Sequence, residues 1–532
     1  MQTSRTGRSF LIIGLVTLAL VAGRAAELPA ALADFDAYVG RTLQEFEVPG
    51  VAVAIVKDGE VVLAKGYGVR KLGEPAPVDA HTLFAIASNT KAFTAAALAI
   101  LVDEGKVAWD DRVVDRLPEF QMSDPYVTRE MRVRDLLVHR SGLSLGAGDL
   151  LFWPPSDYPT SEVVRRLRFV PLTTSFRSAY AYDNILYAVA GELIARVSGQ
   201  SWKEFVRTRI FGPVGITEAK LSANDLTPGD DAATGHAKFN FQTLGPVANA
   251  AWDNNSPAGA IVANVTDLAK WVRMQLAGGK LPDGPDGKER RLFSPERQKE
   301  MWSVVTPMPI RHQEGALAAT EPNFQGYGLG WGLSDYRGRK IVSHTGGWPG
   351  QVSKVALVPE LGLGLVVLTN QESGAAFQAI SYRILDAYLQ APPTDWIAAY
   401  AESVKKARDR ADDSWAKHEA ARAKEAPPSL PLERYAGSYQ DIWYGNVLVK
   451  DEAGRLTMQF EHTPALNGEL EPWQHDTFIV RWRDRSMNAD AFVTFALTPD
   501  GKIDEVKMAA VSPLTDFSFD FQDLRLKPVA AK

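Results

Sequence analysis

The chain has 532 residues, a formal net charge of −6 and no cysteine. This length predicts two to four domains with a large apolar core. The absence of cysteine excludes disulfides and cysteine catalysis. The acidic balance and the lack of a basic block argue against a nucleic-acid partner.

The first segment has the pattern of an export signal. Arg5 and Arg8 precede an apolar run over 10–22, and residues 23–26 include small residues suited to cleavage. The run is short for a spanning helix. We therefore expect a signal peptide over 1–26 and an exported bacterial protein, periplasmic or secreted. A retained membrane anchor is the alternative, and no later segment is long and apolar enough to span a bilayer.

Hydrophobic periodicity predicts the elements that follow. A helical pattern over 28–46 precedes two strands, 51–56 and 61–65, which an Asp58-Gly59 turn joins into a hairpin. Helical patterns dominate from Ser88 to about Gln275. Examples are 133–139, 161–168, 187–197, 202–211 and 266–276, after which strands return at 328–332, 340–344, 352–358 and 364–368, followed by a helix over 375–389.

These elements predict an α+β fold over 27–390, in which an antiparallel sheet is flanked by helices with a helical lobe alongside. Residues 391–430 are rich in charge and end in a proline-rich run, which predicts an exposed helix and a linker. The part from 431 to 532 is predicted to be a small all-β barrel or sandwich. Its strands are expected at 446–450, 456–460, 478–482, 491–497, 503–508 and 517–521, with Phe517, Phe519 and Phe521 in the core.

The stretch with the clearest chemical content begins at Ser88. From 92 to 102 every residue except Thr94 is apolar, which predicts a buried helix. Ser88 and Thr90 favour helix N-caps, so the helix should begin at or beside Ser88. Helical positions three apart share a face, which places the Ser88 hydroxyl beside the Lys91 amine. Burial lowers the pKa of a lysine, so its neutral amine can take the serine proton in acyl transfer.

Two later stretches could complete such a site. Tyr182-Asp183-Asn184 precedes a predicted helix. A tyrosine beside a lysine ammonium can have a lowered pKa and pass a proton to the leaving group. Asn184 can hold the lysine or a substrate carbonyl.

The second stretch, residues 344–348, is His-Thr-Gly-Gly-Trp at the end of a predicted strand. Its glycines would let the backbone approach a substrate closely. The Gly347 N–H could then pair with the Ser88 N–H as an oxyanion hole.

An SxxK, a YxN and a late Lys/His-Thr-Gly in this order resemble the serine β-lactamase and penicillin-binding superfamily. The likeness is greatest to its class C-related branch, which also holds esterases and D-amino-acid peptidases, and it covers about 28–389. The β part resembles, more loosely, a small C-terminal domain of some members. The resemblance implies a β-lactamase/transpeptidase-like fold and an acyl-serine mechanism without metal or cofactor. It also implies the roles: Ser88 as nucleophile, Lys91 as base, Tyr182 as general acid/base, Asn184 as clamp, His344, Thr345 and Gly346 at the substrate edge, and Ser88 with Gly347 as oxyanion hole.

Two positions depart from the family pattern. His344 stands where β-lactamases usually have lysine, so a permanent cation for a substrate carboxylate is missing. This argues against efficient β-lactam hydrolysis. Asp183 stands where the family often has Ser or Ala, which adds negative charge near the site.

Other motifs have simpler interpretations. The GxSxG run around Ser144 lacks the strand before and the helix after that a nucleophile elbow needs. The SxxK tetrads at Ser403 and Ser414 lie in a charged stretch, and Tyr444-Gly445-Asn446 is typical of a turn. His139 is expected to pack or cap a helix, and the eight histidines form no tight ligand cluster.

The sequence therefore predicts a serine hydrolase that acts on short esters, amides or peptides with D-residues. A β-lactamase is the first alternative. A non-catalytic envelope protein that binds or senses a ligand is the second. The expected partner is a small-molecule or peptide substrate, without nucleic acid or a stable membrane span, and the oligomeric state stays open.

Overall fold

The computed structural model describes residues 27–283 and 287–529. The signal peptide predicted over 1–26 lies outside the described residues. Within the described ranges, no helix is long and apolar enough to cross a membrane.

The larger part of the chain is built on an eight-stranded antiparallel sheet. Its strands, with two short pairs outside the sheet, are β1 Gly50–Lys57, β2 Glu60–Gly68, β3 Phe84–Ala85, β4 His236–Phe239, β5 Thr243–Pro246, β6 Val262–Ala263, β7 Thr306–Pro307, β8 Gln325–Tyr327, β9 Gly332–Tyr336, β10 Arg339–Trp348, β11 Gln351–Val358 and β12 Leu363–Thr369. The strand order in the sheet is β2-β1-β12-β11-β10-β9-β8-β7. The first hairpin thus pairs with the last strand of this part.

Helices cover the sheet and form a lobe beside it. They are α1 Phe35–Glu45, α2 Thr90–Asp103, α3 Val113–Arg116, α4 Pro125–Glu130, α5 Thr160–Arg166, α6 Ile185–Ser198, α7 Trp202–Val206, α8 Gly212–Val214, α9 Ser256–Gly259, α10 Val265–Leu276, α11 Pro295–Met301, α12 Gly374–Leu389 and α13 Trp396–Ala421. The predicted helices over 187–197, 266–276 and 375–389 correspond to α6, α10 and α12. The helix predicted over 133–139 is instead a short 3-10 segment, Val133–Leu137.

The hairpin of β1 and β2 turns as its sequence requires. Asp58 and Gly59 have φ values of 52° and 82°. Two consecutive left-handed residues fit the twist of a two-residue hairpin, which is why Asp-Gly is favoured there. β1 also pairs with β12 on its other edge, and all its residues but the last are buried.

α2 is the central helix. It is buried from Thr90 to Leu101, which accounts for its almost continuous apolar sequence. Phe93 stacks on Trp271 of α10, with ring centroids 3.9 Å apart. A helix enclosed in this way can carry a lysine only where that lysine finds polar partners.

The strand predicted over 328–332 is wrong. Residues 328–331 form the turn between β8 and β9, and Gly332 is the first residue of β9. Gly330 has φ 75°, and a Cβ there would lie 2.8 Å from the Lys91 carbonyl oxygen. The glycines therefore serve a close approach of the sheet to α2, which alternation in the sequence cannot reveal.

The C-terminal part is an eight-stranded antiparallel barrel that is nearly closed. Its strands are β13 Gly437–Asp441, β14 Gly445–Asp451, β15 Leu456–Phe460, β16 Asn467–Gln474, β17 Thr477–Trp482, β18 Ala491–Leu497, β19 Ile503–Ala510 and β20 Lys527–Pro528. The end strands approach each other through a bridge between Val506 and Leu526. The predicted fold class, an α+β domain with a small all-β domain, is confirmed.

The strand predicted over 517–521 is also wrong. The segment has no strand and ends in a 3-10 turn, Phe521–Asp523. Phe519 and Phe521 are buried as expected, whereas Phe517 is 40% exposed. Phe517 leaves the barrel core because its segment runs toward the helical lobe.

α13 is the exposed helix that the charged sequence predicts. Only Trp396 and Ala399 are buried, and Trp396 Nε1 donates to Asp386 of α12 at 2.9 Å. At its other end Trp415 packs on Trp473 of the barrel. The two further SxxK tetrads, at Ser403 and Ser414, lie on this helix.

We expect Gly330→Ala to lower the free energy of unfolding more than Gly338→Ala. Both glycines have φ near 75°, so each substitution costs about 1–2 kcal/mol of backbone strain. Only at Gly330 would the new Cβ overlap α2, which adds about 1–3 kcal/mol. Urea unfolding of both variants measures the difference, and equal losses would contradict the close approach.

Candidate active site

Ser88 lies on a 3-10 turn, Ala87–Asn89, directly before α2. The turn is held from β11: Ser353 Oγ donates to the Ile86 carbonyl at 2.7 Å, and Asn89 Nδ2 donates to Ser353 Oγ at 2.8 Å. Ala87 has φ 46°, a strained value for a residue with a side chain. The sheet thus fixes the position of the serine.

The predicted capping roles are not observed. The α-helix begins at Thr90 and has no side-chain cap. Thr90 Oγ1 instead accepts the N–H of Ile261 at 3.2 Å. The Ser88 hydroxyl faces Lys91, because the two residues share a face of the first helical turn.

Lys91 is completely buried and has three polar neighbours. Its Nζ lies 2.9 Å from Ser88 Oγ, 2.7 Å from Asn184 Oδ1 and 3.0 Å from the Ala258 carbonyl oxygen. Burial lowers the pKa of Lys91 to about 7, although the carboxylates of Asp149 and Asp183 oppose the shift. A neutral amine can donate one N–H to each carbonyl oxygen, which leaves its lone pair for the Ser88 O–H. This geometry suits general-base activation of the serine.

Tyr182 packs on the other side of this pair. The centre of its ring lies 4.9 Å from Lys91 Nζ. Burial raises the pKa of Tyr182 well above 10, and its hydrogen bond with Ser88 only partly opposes this. The lowered pKa expected from the sequence is therefore wrong. Tyr182 is a neutral phenol, which can give a proton to a leaving group but is not itself a base at neutral pH.

Asn184 occupies the N-cap position of α6 without a capping hydrogen bond from its side chain, which points into the site. Its Oδ1 faces Lys91, and its Nδ2 donates to Asp149 Oδ2 at 2.8 Å. No sequence motif marks Asp149 as a site residue, because it is a single acidic residue in a glycine-rich loop. Its contact with Asn184 is formed only by the tertiary fold.

Asp183 points away from the pocket. Its carboxylate accepts the Ser141 hydroxyl at 3.1 Å and lies 3.8 Å from His139 Nδ1. His139 is fully buried against the Tyr182 ring, with centroids 4.2 Å apart, and its Nδ1 accepts the Asp183 N–H. His139 is a packed residue, as the sequence suggests.

The His344 motif forms the last five residues of β10. His344 Nδ1 donates to the Thr345 carbonyl at 2.6 Å, so Nε2 must accept the Tyr327 hydroxyl at 2.6 Å. Burial lowers the pKa of His344 to about 3. This histidine is therefore neutral and cannot replace the lysine of the family pattern.

Gly346 and Gly347 differ in what they face. A Cβ at Gly346 would lie 2.1 Å from the Ile86 carbonyl oxygen, whereas Gly347 has open space around it. Gly346 lets β10 approach the Ser88 turn, and Gly347 lines the pocket. The oxyanion role of Gly347 with Ser88 stays a prediction.

A pocket of about 430 Å³ opens over Ser88. Of the residues proposed from the sequence, Ser88, Tyr182, Asn184, His344, Thr345 and Gly347 line it, whereas Lys91 and Gly346 do not. Neither lysine nor arginine lines it, whereas Trp153, Tyr180, Trp252 and Tyr327 give it aromatic walls. Asp516, Phe517 and Ser518 of the barrel part complete the lining. No sequence signal identified these three residues.

The nucleophile-elbow alternative has no structural support. Ser144 follows irregular chain and not a strand, and its hydroxyl donates to Asp523 of the barrel at 2.7 Å. Among residues 27–283 and 287–529 there is also no group of three or more acidic or histidine side chains that could hold a metal ion.

A sequence profile of the β-lactamase family matches residues 35–389. The chain belongs to the β-lactamase family. A second profile, of a domain of unknown function named DUF3471, matches 421–528. With the Ser88–Lys91 geometry, this family membership makes the chain a serine hydrolase.

Relatives of known name agree with this assignment. The unguisins hydrolase ungD′ of Aspergillus campestris is 30% identical over 88% of this chain and 87% of its own length. Penicillin-binding protein 4 of Amycolatopsis lactamdurans is 29% identical over 64% of this chain and 86% of its own. The octameric penicillin-binding protein homologue from Pyrococcus abyssi has the same fold, with a TM-score of 0.58 and 21% identity over 93% of this chain and 99% of that one.

The reactivity of Ser88 should follow the protonation of Lys91. We expect fluorophosphonate labelling of Ser88 to fall about tenfold for each pH unit below 7, because an ammonium cannot accept the serine proton. Tyr182 should add no basic limb below pH 10. Lys91→Met should abolish labelling across the range.

Lys354→Met is the matched control. Lys354 is also a buried lysine whose pKa burial lowers, to about 8, but it lies outside the pocket and donates to Gln378 of α12. Its replacement should leave labelling unchanged. Undiminished labelling in Lys91→Met would contradict the role of Lys91 as base.

Proposed function

We propose that this hydrolase cleaves amide and ester bonds in uncharged, apolar substrates, including peptides with D-residues. Ser88 would attack the carbonyl carbon while Lys91 takes its proton. Tyr182 would pass a proton to the departing amine or alcohol and regain one from the Lys91 ammonium, and water would then hydrolyse the acyl-serine. The reaction would need no cofactor.

The single observation that supports this substrate class is that no positively charged side chain lines the pocket. Neither lysine nor arginine lines it, and burial keeps His344 neutral by lowering its pKa. A substrate carboxylate would be buried there beside Asp516 without a cation other than Lys91, which must be neutral to act as base. Burying an unpaired charge is costly. Aromatic walls favour apolar side chains instead.

A second cavity supports substrates longer than a dipeptide. A crevice of about 1160 Å³ lies between the sheet domain, α13 and the barrel, and shares Trp153, Gly347 and Asp516 with the catalytic pocket. Several residues of a peptide on one side of the cleaved bond could occupy it. The similarity to a relative named as a hydrolase of unguisins also supports this proposal, because it covers 88% of this chain and so extends into the barrel part.

We also propose that the enzyme acts outside the cytoplasm. The basic start and apolar run of residues 1–26 support export, and the lack of cysteine suits an oxidising compartment. Cell fractionation and N-terminal sequencing of the mature protein test this proposal. Recovery in the cytoplasm with an intact N-terminus would refute it.

A matched pair of peptides tests the substrate class. We expect N-acetyl-D-phenylalanyl-D-alanine amide to be hydrolysed with a kcat/KM at least roughly tenfold above that of the same peptide with a free carboxylate. The L-enantiomers, p-nitrophenyl butyrate and nitrocefin complete the panel. Faster cleavage of the carboxylate form or of nitrocefin would favour a peptidase of the penicillin-binding type or a β-lactamase. No labelling of Ser88 by a fluorophosphonate would favour a non-catalytic binding protein.

His344→Lys should shift the enzyme toward anionic substrates. A lysine amine at the pocket edge supplies a partner for a carboxylate, and such a charged hydrogen bond is worth about tenfold or more in kcat/KM. We expect nitrocefin hydrolysis to rise by that factor. His344→Gln keeps the position polar and neutral and serves as control. An equal effect of both substitutions would show that charge at position 344 does not select the substrate.

A further inference from the structure

One segment of the barrel part, residues 516–523, lies against the loop 144–151 of the sheet domain. Its carboxylates and hydroxyls make four hydrogen bonds to that loop. Asp520 accepts the N–H groups of Gly148 at 2.7 Å and Leu150 at 3.3 Å, Asp523 accepts the Ser144 hydroxyl at 2.7 Å, and Ser518 Oγ donates to Asp149 Oδ2 at 2.8 Å. The last of these bonds reaches the active site.

From Ser518 a continuous chain of hydrogen bonds leads to the catalytic amine. Ser518 Oγ and Asn184 Nδ2 both donate to Asp149 Oδ2, at 2.8 Å each, and Asn184 Oδ1 lies 2.7 Å from Lys91 Nζ. All four residues are buried. The only link in this chain from outside the sheet domain is Ser518.

This chain decides which end of the Asn184 amide faces Lys91. An amide has an acceptor oxygen and a donor NH₂, and only the oxygen can receive an N–H from the amine. Because Asp149 Oδ2 accepts, the NH₂ group turns toward Asp149 and the oxygen toward Lys91. The other oxygen of Asp149 has no hydrogen-bond partner within the described residues. The hydrogen bonds from Ser518 and Asn184 therefore hold the Asp149 carboxyl group in place.

The hydrogen bond from Ser518 stabilises the negative charge of Asp149. Burial raises the pKa of Asp149, and Asp516 adds to the rise, whereas the bonds from Ser518 and Asn184 and the charge of Lys91 oppose it. Asp520, whose pKa burial also raises, faces Asp149 from the barrel. Without the Ser518 hydroxyl, the carboxylate form of Asp149 would be less stable.

A change in the charge of Asp149 alters the pKa of Lys91 in a defined direction. The carboxylates of Asp149 and Asp183 raise the pKa of Lys91 against its burial. The other titratable groups near the amine are Tyr182, Tyr187, His139 and His344. All four are neutral, because burial raises the pKa of the two tyrosines and lowers the pKa of the two histidines. Loss of negative charge at Asp149 would therefore lower the pKa of Lys91 further.

We infer that Ser518 is a positioning residue of the active site: through Asp149 it orients the Asn184 amide so that its oxygen holds Lys91 beside Ser88. The barrel domain thus sets the geometry of the general base. This inference rests on the proposed acyl-serine mechanism, and it assigns the barrel a part in catalysis without contact between Ser518 and the reacting atoms.

The pH dependence of Ser88 labelling by a fluorophosphonate tests this inference. For Ser518→Ala we expect the midpoint to move to lower pH by about one unit and the plateau to fall about tenfold, because the base is less well oriented. Asp149→Asn should move the midpoint in the same direction. Ser518→Thr keeps the hydroxyl and should restore both values.

Ser144→Ala is the matched control. It removes another serine–aspartate hydrogen bond across the same interface, to Asp523, which has no link to Lys91. We expect its labelling midpoint and plateau to equal those of the wild type. Thermal unfolding of all four variants reports on the stability of the interface itself.

Each outcome has a clear meaning. A wild-type midpoint and plateau in Ser518→Ala would overturn the inference and leave the proposed function intact. A loss of labelling that follows thermal stability across the variants, or that Ser518→Thr fails to restore, would also overturn it. Failure of the wild type itself to be labelled would refute the acyl-serine mechanism instead.

Discussion

The structure depends on one buried amine. Lys91 lies in the first turn of a helix that is enclosed on all sides, where an unpaired ammonium could not be tolerated. Two carbonyl oxygens, from Asn184 and Ala258, accept hydrogen bonds from its N–H groups. The same burial that makes the charge costly makes the neutral amine available as a base. Stability and reactivity thus have one physical origin.

Close backbone approaches bring the other groups to this amine. Gly330 allows the β8–β9 turn to touch α2, and Gly346 allows β10 to touch the Ser88 turn. A methyl group at either position would push the sheet away from the nucleophile. Because β10 also carries His344 and Thr345, these contacts place the substrate edge of the pocket at a fixed distance from Ser88.

The barrel is part of the pocket and not an appended module. Phe517 packs edge-on against Tyr182, with ring centroids 5.9 Å apart, and Asp516 lies where the pocket meets the larger crevice. These contacts join the two domains at the pocket over Ser88. The lining contains neither lysine nor arginine, which is the basis of the proposed preference for uncharged substrates.

The sequence alone determined the α+β fold class, a small all-β C-terminal domain and the proximity of Ser88 to Lys91, because helical and strand periodicity and the spacing of three along a helix are local properties. It also placed Tyr182, Asn184 and His344 near them, through the order of their motifs. Only the tertiary structure decided the rest. The raised pKa of Tyr182, the part of Asp149 and the entry of residues 516–518 into the pocket all arise from burial or from contacts between distant segments, which leave no periodic trace in the chain.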